Sequence, residues 1–141
     1  MRVSRFLVAA GLALLVAITM SVAPSAQAKT DEDYDKLMKG VGAANGAMRK
    51  ATEGDAVAAE AKKLVALFKQ VNAFWVARKN TEAAEWATSA MNHAAAIDKA
   101  AMAKDMPGAQ GHMKELGGVC QTCHAKYREK TETGFAIKKM G

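Results

Sequence analysis

Between positions 31 and 104, apolar residues return at every third or fourth place, and charged or polar residues fill the gaps. In the stretch 31–49, Leu37, Val41, Ala44 and Met48 keep that spacing behind an acidic first turn, which suits the positive end of a helix dipole. The stretch 55–78 puts Val57, Ala61, Leu64, Phe68, Val71 and Trp75 on one face. A third, 81–104, carries Trp86, Ala90, Ile97 and Ala101, with Asn80 or Thr81 as N-cap. A fourth, 107–132, opens with Pro107, tolerated in a first turn, and carries Met113, Leu116, Cys120, Cys123 and Tyr127. Good helix formers dominate and no strand-like alternation competes with them. Short connections make neighbours in sequence neighbours in space, so the expected fold is all-α, an up-down-up-down antiparallel four-helix bundle. Beyond Thr133, the run GFAIKKMG reads as a glycine stop followed by an irregular tail.

The first 28 residues follow a different pattern: two arginines, the apolar run FLVAAGLALLVAITM, then APSAQA with small residues at the cleavage spacing. That is the order of a secretory signal, with cleavage expected between Ala28 and Lys29. The rival reading, an uncleaved anchor, asks for about 20 spanning residues, more than the run supplies. The division is therefore 1–28 signal peptide and 29–141 one exported, periplasmic domain with no membrane attachment after cleavage. Loss of Arg2 and Arg5 lowers the formal charge from +6 to +4. The remaining lysines are interleaved with Asp and Glu, without an aromatic-basic stripe, which argues for solvated helix faces and against a nucleic-acid partner.

The chain holds only two cysteines, in GGVCQTCHAKYREK. A disulfide two residues apart would close a loop too small to constrain the unfolded chain. A thioredoxin-like pair lacks its βαβ context. A structural zinc site lacks a second ligand pair. Cys120-Gln121-Thr122-Cys123-His124 is the C-x-x-C-H pattern of covalent haem attachment. Two thioether bonds to the vinyl groups on one edge of a porphyrin fix its plane against the helix turn, and the next imidazole projects towards the iron. His124 is then the proximal ligand.

The opposite ligand position is left between two readings. In an antiparallel bundle, Met38 near the start of the first helix lies level with His124 near the end of the fourth. A thioether there would ligate iron and raise its potential; equally, Met38 is a gap-filling core residue beside the Leu37–Val41–Met48 stripe. His93 on the third helix is a weaker competitor, and His112 shares a helix with His124 and cannot reach the same iron. Arg128, one turn after His124, pairs with a propionate, screens the proximal pocket, or is a solvated charge. Tyr127 is expected to pack on the macrocycle, and Trp75 and Trp86 to wall the pocket.

CQTCHAKYREK, with its C-x-x-C-H-x-x-[YF]-R pattern, and DKLMKGVGAANGAM resemble the cytochrome c′ and cytochrome c-556 family, the class II c-type cytochromes. The resemblance implies a four-helix bundle around one covalent haem c, with Met38 at the distal position of the six-coordinate members. Tyr34 stands four residues before Met38, where many members carry a basic residue, and the longer Phe-Pro-Gly-Thr loop between the second and third helices is missing. It also implies homodimers through the first two helices.

The expected function is a periplasmic electron carrier, not an enzyme, with His124 and Met38 on the iron and redox proteins as partners. Lys126 and Lys130 are its expected docking charges, with a merely solvated face as the other reading. The alternative is a five-coordinate, gas-binding protein for nitric oxide or carbon monoxide, with Met38 only a pocket wall.

Overall fold

The computed structural model describes residues 30–139, so the predicted signal peptide and the last two residues lie outside the described part. Four helices make up most of it: α1 (Asp31–Lys50), α2 (Gly54–Ala77), α3 (Thr81–Met102) and α4 (Met106–Tyr127). α1 and α2 are built on the stripes read from their sequences, whereas Trp86 of α3 and Met113, Cys120 and Cys123 of α4 are only partly buried and Ala109 joins the α4 core instead. In α1 the buried residues are Leu37, Val41, Ala44 and Met48. In α2 the six expected residues are buried together with Ala58 and Phe74. The inner face of α3 is almost wholly alanine, with Ile97 the one larger buried side chain. Small side chains let backbones approach, and Gly54 at the start of α2 uses this: a Cβ there would stand 2.7 Å from the Ala101 carbonyl oxygen.

The ends of the helices are closed by specific hydrogen bonds. Thr30 and Asp33 form a reciprocal capping box, the Asp33 N–H donating to Thr30 Oγ1 at 3.1 Å and the Thr30 N–H to Asp33 Oδ2 at 3.2 Å. Asn80 caps α3 by accepting from the Ala83 N–H at 3.0 Å. Asp105 caps α4 by accepting from the Gly108 N–H at 2.9 Å, with Pro107 in the first turn.

The α2–α3 and α3–α4 links share one design. In each, a lysine adopts the left-handed conformation, Lys79 at φ 56° and Lys104 at φ 61°, and the capping Asn or Asp follows directly. The Asn80 N–H donates back to Trp75 O at 3.0 Å and the Lys79 N–H to Val76 O at 2.9 Å. Asp105 and Lys104 repeat this with Ala100 O at 2.9 Å and Ala101 O at 3.0 Å. These are Schellman closures with lysine where glycine is usual, each turned at once into the next N-cap. Such tight links fold successive helices back along each other.

Packing follows the chain: α2 against α3, α3 against α4, and α1 against α2. The fourth seam, between α1 and α4, lacks comparable packing. Among the described residues, no helix is long and apolar enough to cross a membrane.

The end of the chain departs from expectation. Helix α4 stops at Tyr127 instead of near 132, and the supposed irregular tail is a strand. β1 (Arg128–Thr131) pairs antiparallel with β2 (Gly134–Ile137), Arg128 opposite Ile137 and Thr131 opposite Gly134. Gly134 sits at φ 154°, a setting that side chains rarely adopt. The Lys138 N–H donates to Tyr127 O at 2.8 Å, returning the hairpin to the helix end, and β2 touches α1. Two threonines, Thr131 and Thr133, favour extended backbone over another helical turn here.

Candidate functional site: a cavity in the open seam

The seam between α1 and α4 is occupied by a mainly apolar cavity of about 650 Å³. That falls within the range of ~300–1,000 Å³ usual for ligand sites. Tyr34 and Met38 face it from α1, Phe68 and Val71 form part of its floor from α2, and Trp86, Ala87 and Ala90 line it from α3. Cys120, Cys123, His124 and Tyr127 line it from α4, and Arg128, Phe135 and Ile137 from the hairpin. The sequence-predicted residues therefore converge on one space, with Met38 and the C-x-x-C-H segment on its two facing helices.

Trp75 is the exception. It is buried behind the wall, its ring 5.4 Å from that of Tyr34 and 5.3 Å from that of Tyr127. Its indole N–H donates to the Tyr34 hydroxyl at 3.3 Å, and Tyr34 stacks on Phe74 with centroids 4.5 Å apart. Trp75 thus braces two lining residues without lining the space itself. Burial pushes the Tyr34 phenol up to about 12, the indole hydrogen bond opposing the shift, so the ring faces the cavity as a neutral hydroxyl. The end of α2 holds the start of α1 from outside: the Arg78 guanidinium pairs with Asp31 and lies 4.1 Å above the Phe74 ring centroid.

Both cysteines are free and half-buried. Burial raises the Cys120 thiol above its ordinary value against the pull of Arg49. Burial, the neighbouring Cys120 and Glu82 push Cys123 up to about 11. His124 moves the other way: burial, then the positive charge of Arg128, depress its imidazole. The cavity therefore presents two protonated thiols and a neutral imidazole, which keeps a free lone pair for a metal.

His124 also faces a second groove, of about 420 Å³, whose wall includes Gln121, Ala125, Arg128, Lys130 and Phe135. The Arg128 guanidinium lies 4.2 Å above the Phe135 ring centroid, so this pair, with His124, separates the groove from the main cavity. Phe135 and Ile137 were not foreseen as pocket residues; the glycine at 134 and the flanking threonines were the available signal. Lys126, read as a docking charge, is held by Glu82 at 2.5 Å, whereas Lys130 stands exposed at the groove.

His93 does not reach the cavity. Its ring lies 5.8 Å from that of His112, well along α3 from Trp86, which removes it as a partner for His124.

Among the described residues, no group of three or more His, Cys, Asp or Glu side chains could hold a metal ion by themselves. A metal in this cavity would need ligands of its own, as a porphyrin supplies. The residues fit such a group: a broad apolar space between two helices that do not pack on each other, paired thiols on one wall, and a neutral imidazole next to them. Comparison with family models, curated proteins and solved structures finds no match to this chain.

Proposed function

We propose that this chain is an exported monohaem c-type electron carrier of the class that its motifs resemble, an all-α up-down-up-down bundle with its haem in the α1–α4 cavity. The observation that carries the reading is that Cys120, Cys123 and His124 line the same apolar space as Met38, which faces them from the opposite helix.

Cys120 and Cys123 would hold the group by thioethers, and His124 and Met38 would be the protein ligands to its iron. Bound there, haem supplies reversible one-electron storage. The protein's own part is positional. Burial keeps the His124 lone pair available, and the helix fixes its direction relative to both sulfurs. Tyr34, braced by Trp75 and Phe74, stiffens the α1 wall one turn before Met38. Apolar neighbours such as Phe68, Val71 and Ala87 exclude water, which lowers the reorganisation that accompanies a change of charge. Arg128 and Lys130 leave positive charge at the hairpin end, where a redox protein of opposite charge would dock.

The absorption and magnetic spectra of the purified exported chain test this reading. A covalent haem with low-spin six-coordinate iron, whose far-red sulfur-to-ferric band disappears in Met38→Ala, supports the carrier. High-spin five-coordinate iron, unchanged by Met38→Ala and quick to bind carbon monoxide, would assign the protein to gas binding instead. A colourless chain of unmodified mass would end both readings.

A further inference from the structure

The chain has three histidines, and the two that the cavity does not use meet each other. His93 of α3 and His112 of α4 lie with ring centroids 5.8 Å apart and planes tilted by 44°. Both are half-buried, and neither ring nitrogen has a hydrogen-bond partner among the described residues. Each ring therefore carries nitrogen lone pairs that no group among the described residues uses and that a metal can reach from solvent.

We propose that His93 and His112 form a two-imidazole site for a divalent transition-metal ion, with Cu²⁺ the tightest and Zn²⁺ and Ni²⁺ weaker members of the same class. An imidazole nitrogen binds such an ion at ~2.0–2.1 Å, which places each ring centre about 3.2 Å from the metal. At a tetrahedral angle near ~110° the two ring centres then stand about 5.2 Å apart, and at the ~90° of a tetragonal Cu²⁺ or Ni²⁺ site about 4.5 Å. The observed 5.8 Å is wider than either, so the two side chains close towards each other when the ion binds, least for tetrahedral zinc. Imidazole nitrogen suits copper, zinc and nickel, and the affinity order for a given nitrogen site peaks at copper.

The remaining coordination positions belong to water, since among the described residues no third His, Cys, Asp or Glu completes the set. Partial exposure of both rings gives the ion and its waters a way in. His112 precedes His124 by twelve residues, about 18 Å along the helix, so the ion would not share the cavity. Its effect would be to clamp α3 to α4 midway along their seam.

Zinc is the first probe because it has no redox chemistry of its own. For the full exported chain, thermal unfolding in ~1 mM ZnCl₂ is expected to shift upward by roughly 5–10 °C, as for a ligand that binds only the folded state. Calorimetric titration should give one ion per chain. His93→Asn and His112→Asn should each remove both effects. Copper-loaded wild type should show two imidazole nitrogens coupled to the Cu²⁺ signal, a measurement that needs no variant to fold. No zinc shift, a shift that survives either replacement, or a copper signal with fewer than two imidazole nitrogens would overturn the site.

Discussion

The Tyr127 hydroxyl donates to the Glu82 carboxylate at 2.6 Å, fastening the last residue of α4 to the first turn of α3 just three residues after His124. Asn80 Oδ1, already capping α3, stands 3.2 Å from the same hydroxyl, and Lys126 pairs with Glu82 from the next position along α4. Two helices, α3 and α4, are thus tied together at one carboxylate at the end of the bundle that holds the cavity.

That carboxylate gives the junction a pH dependence. Lys126 first, then Tyr127, hold Glu82 below its ordinary value of 4.5. A depressed carboxyl contributes stability above its unfolded value and loses it as pH falls through the folded one. Tyr127→Phe is therefore expected to lower Tm by a few degrees at pH 7, with the gap from wild type closing below pH ~4.5. Melting curves from pH 7 to pH 3 check both the size and the closure.

The thiols should be sluggish before any modification. With Cys123 near 11 and Cys120 also raised, little thiolate exists at pH 8, and thiolate is the nucleophile. In folded chain carrying no haem, iodoacetamide labelling of Cys123 should rise with pH to half its maximal rate near 11, slower at pH 8 than in the urea-unfolded chain. Peptide mass spectrometry follows each site.

The left-handed lysines carry a backbone cost that glycine would avoid. Lys79→Gly and Lys104→Gly are each expected to stabilise the chain by about 0.5–1 kcal/mol, and urea midpoints measure it.

Two other glycines should answer oppositely to alanine. Gly46 lies inside α1 with nothing within 4 Å of an added Cβ, so Gly46→Ala should gain about 0.5–1 kcal/mol. Gly54→Ala must push back the Ala101 carbonyl and should lose about 1–3 kcal/mol. The same denaturation series separates them.

The helices were legible because Leu37, Val41, Ala44 and Met48 repeat at the helical period, and α2 carries the same repeat over a longer stripe. Asn80 could be read as a cap from its chemistry alone. The two Schellman turns could not, because lysine carries no signal for left-handed backbone. The hairpin was hidden for a related reason: REKT and GFAI are too short and too charged or mixed to show alternation, and Thr131 and Thr133 act only through their neighbours. Periodicity assigned Trp75 to the correct face but gives no depth, so it could not separate a lining ring from the ring behind it. Cys120, Cys123 and His124 were legible because their chemistry depends on local spacing. Whether Met38 shares their space depends on how two helices far apart in sequence come to face each other. The approach of His93 to His112 depends on the register of α3 against α4, which single-helix patterns do not set.

The loosely packed seam between α1 and α4 bears on how the polypeptide matures. α1 packs mainly on α2, with β2 of the hairpin as a smaller contact, while Tyr34 and Met38 border the cavity. Under the proposed function, attachment supplies the missing neighbour, so the final consolidation of the bundle waits on a chemical modification. On that reading export would carry its own proofreading, since a chain that escapes stitching would keep an unfilled seam for proteases to test.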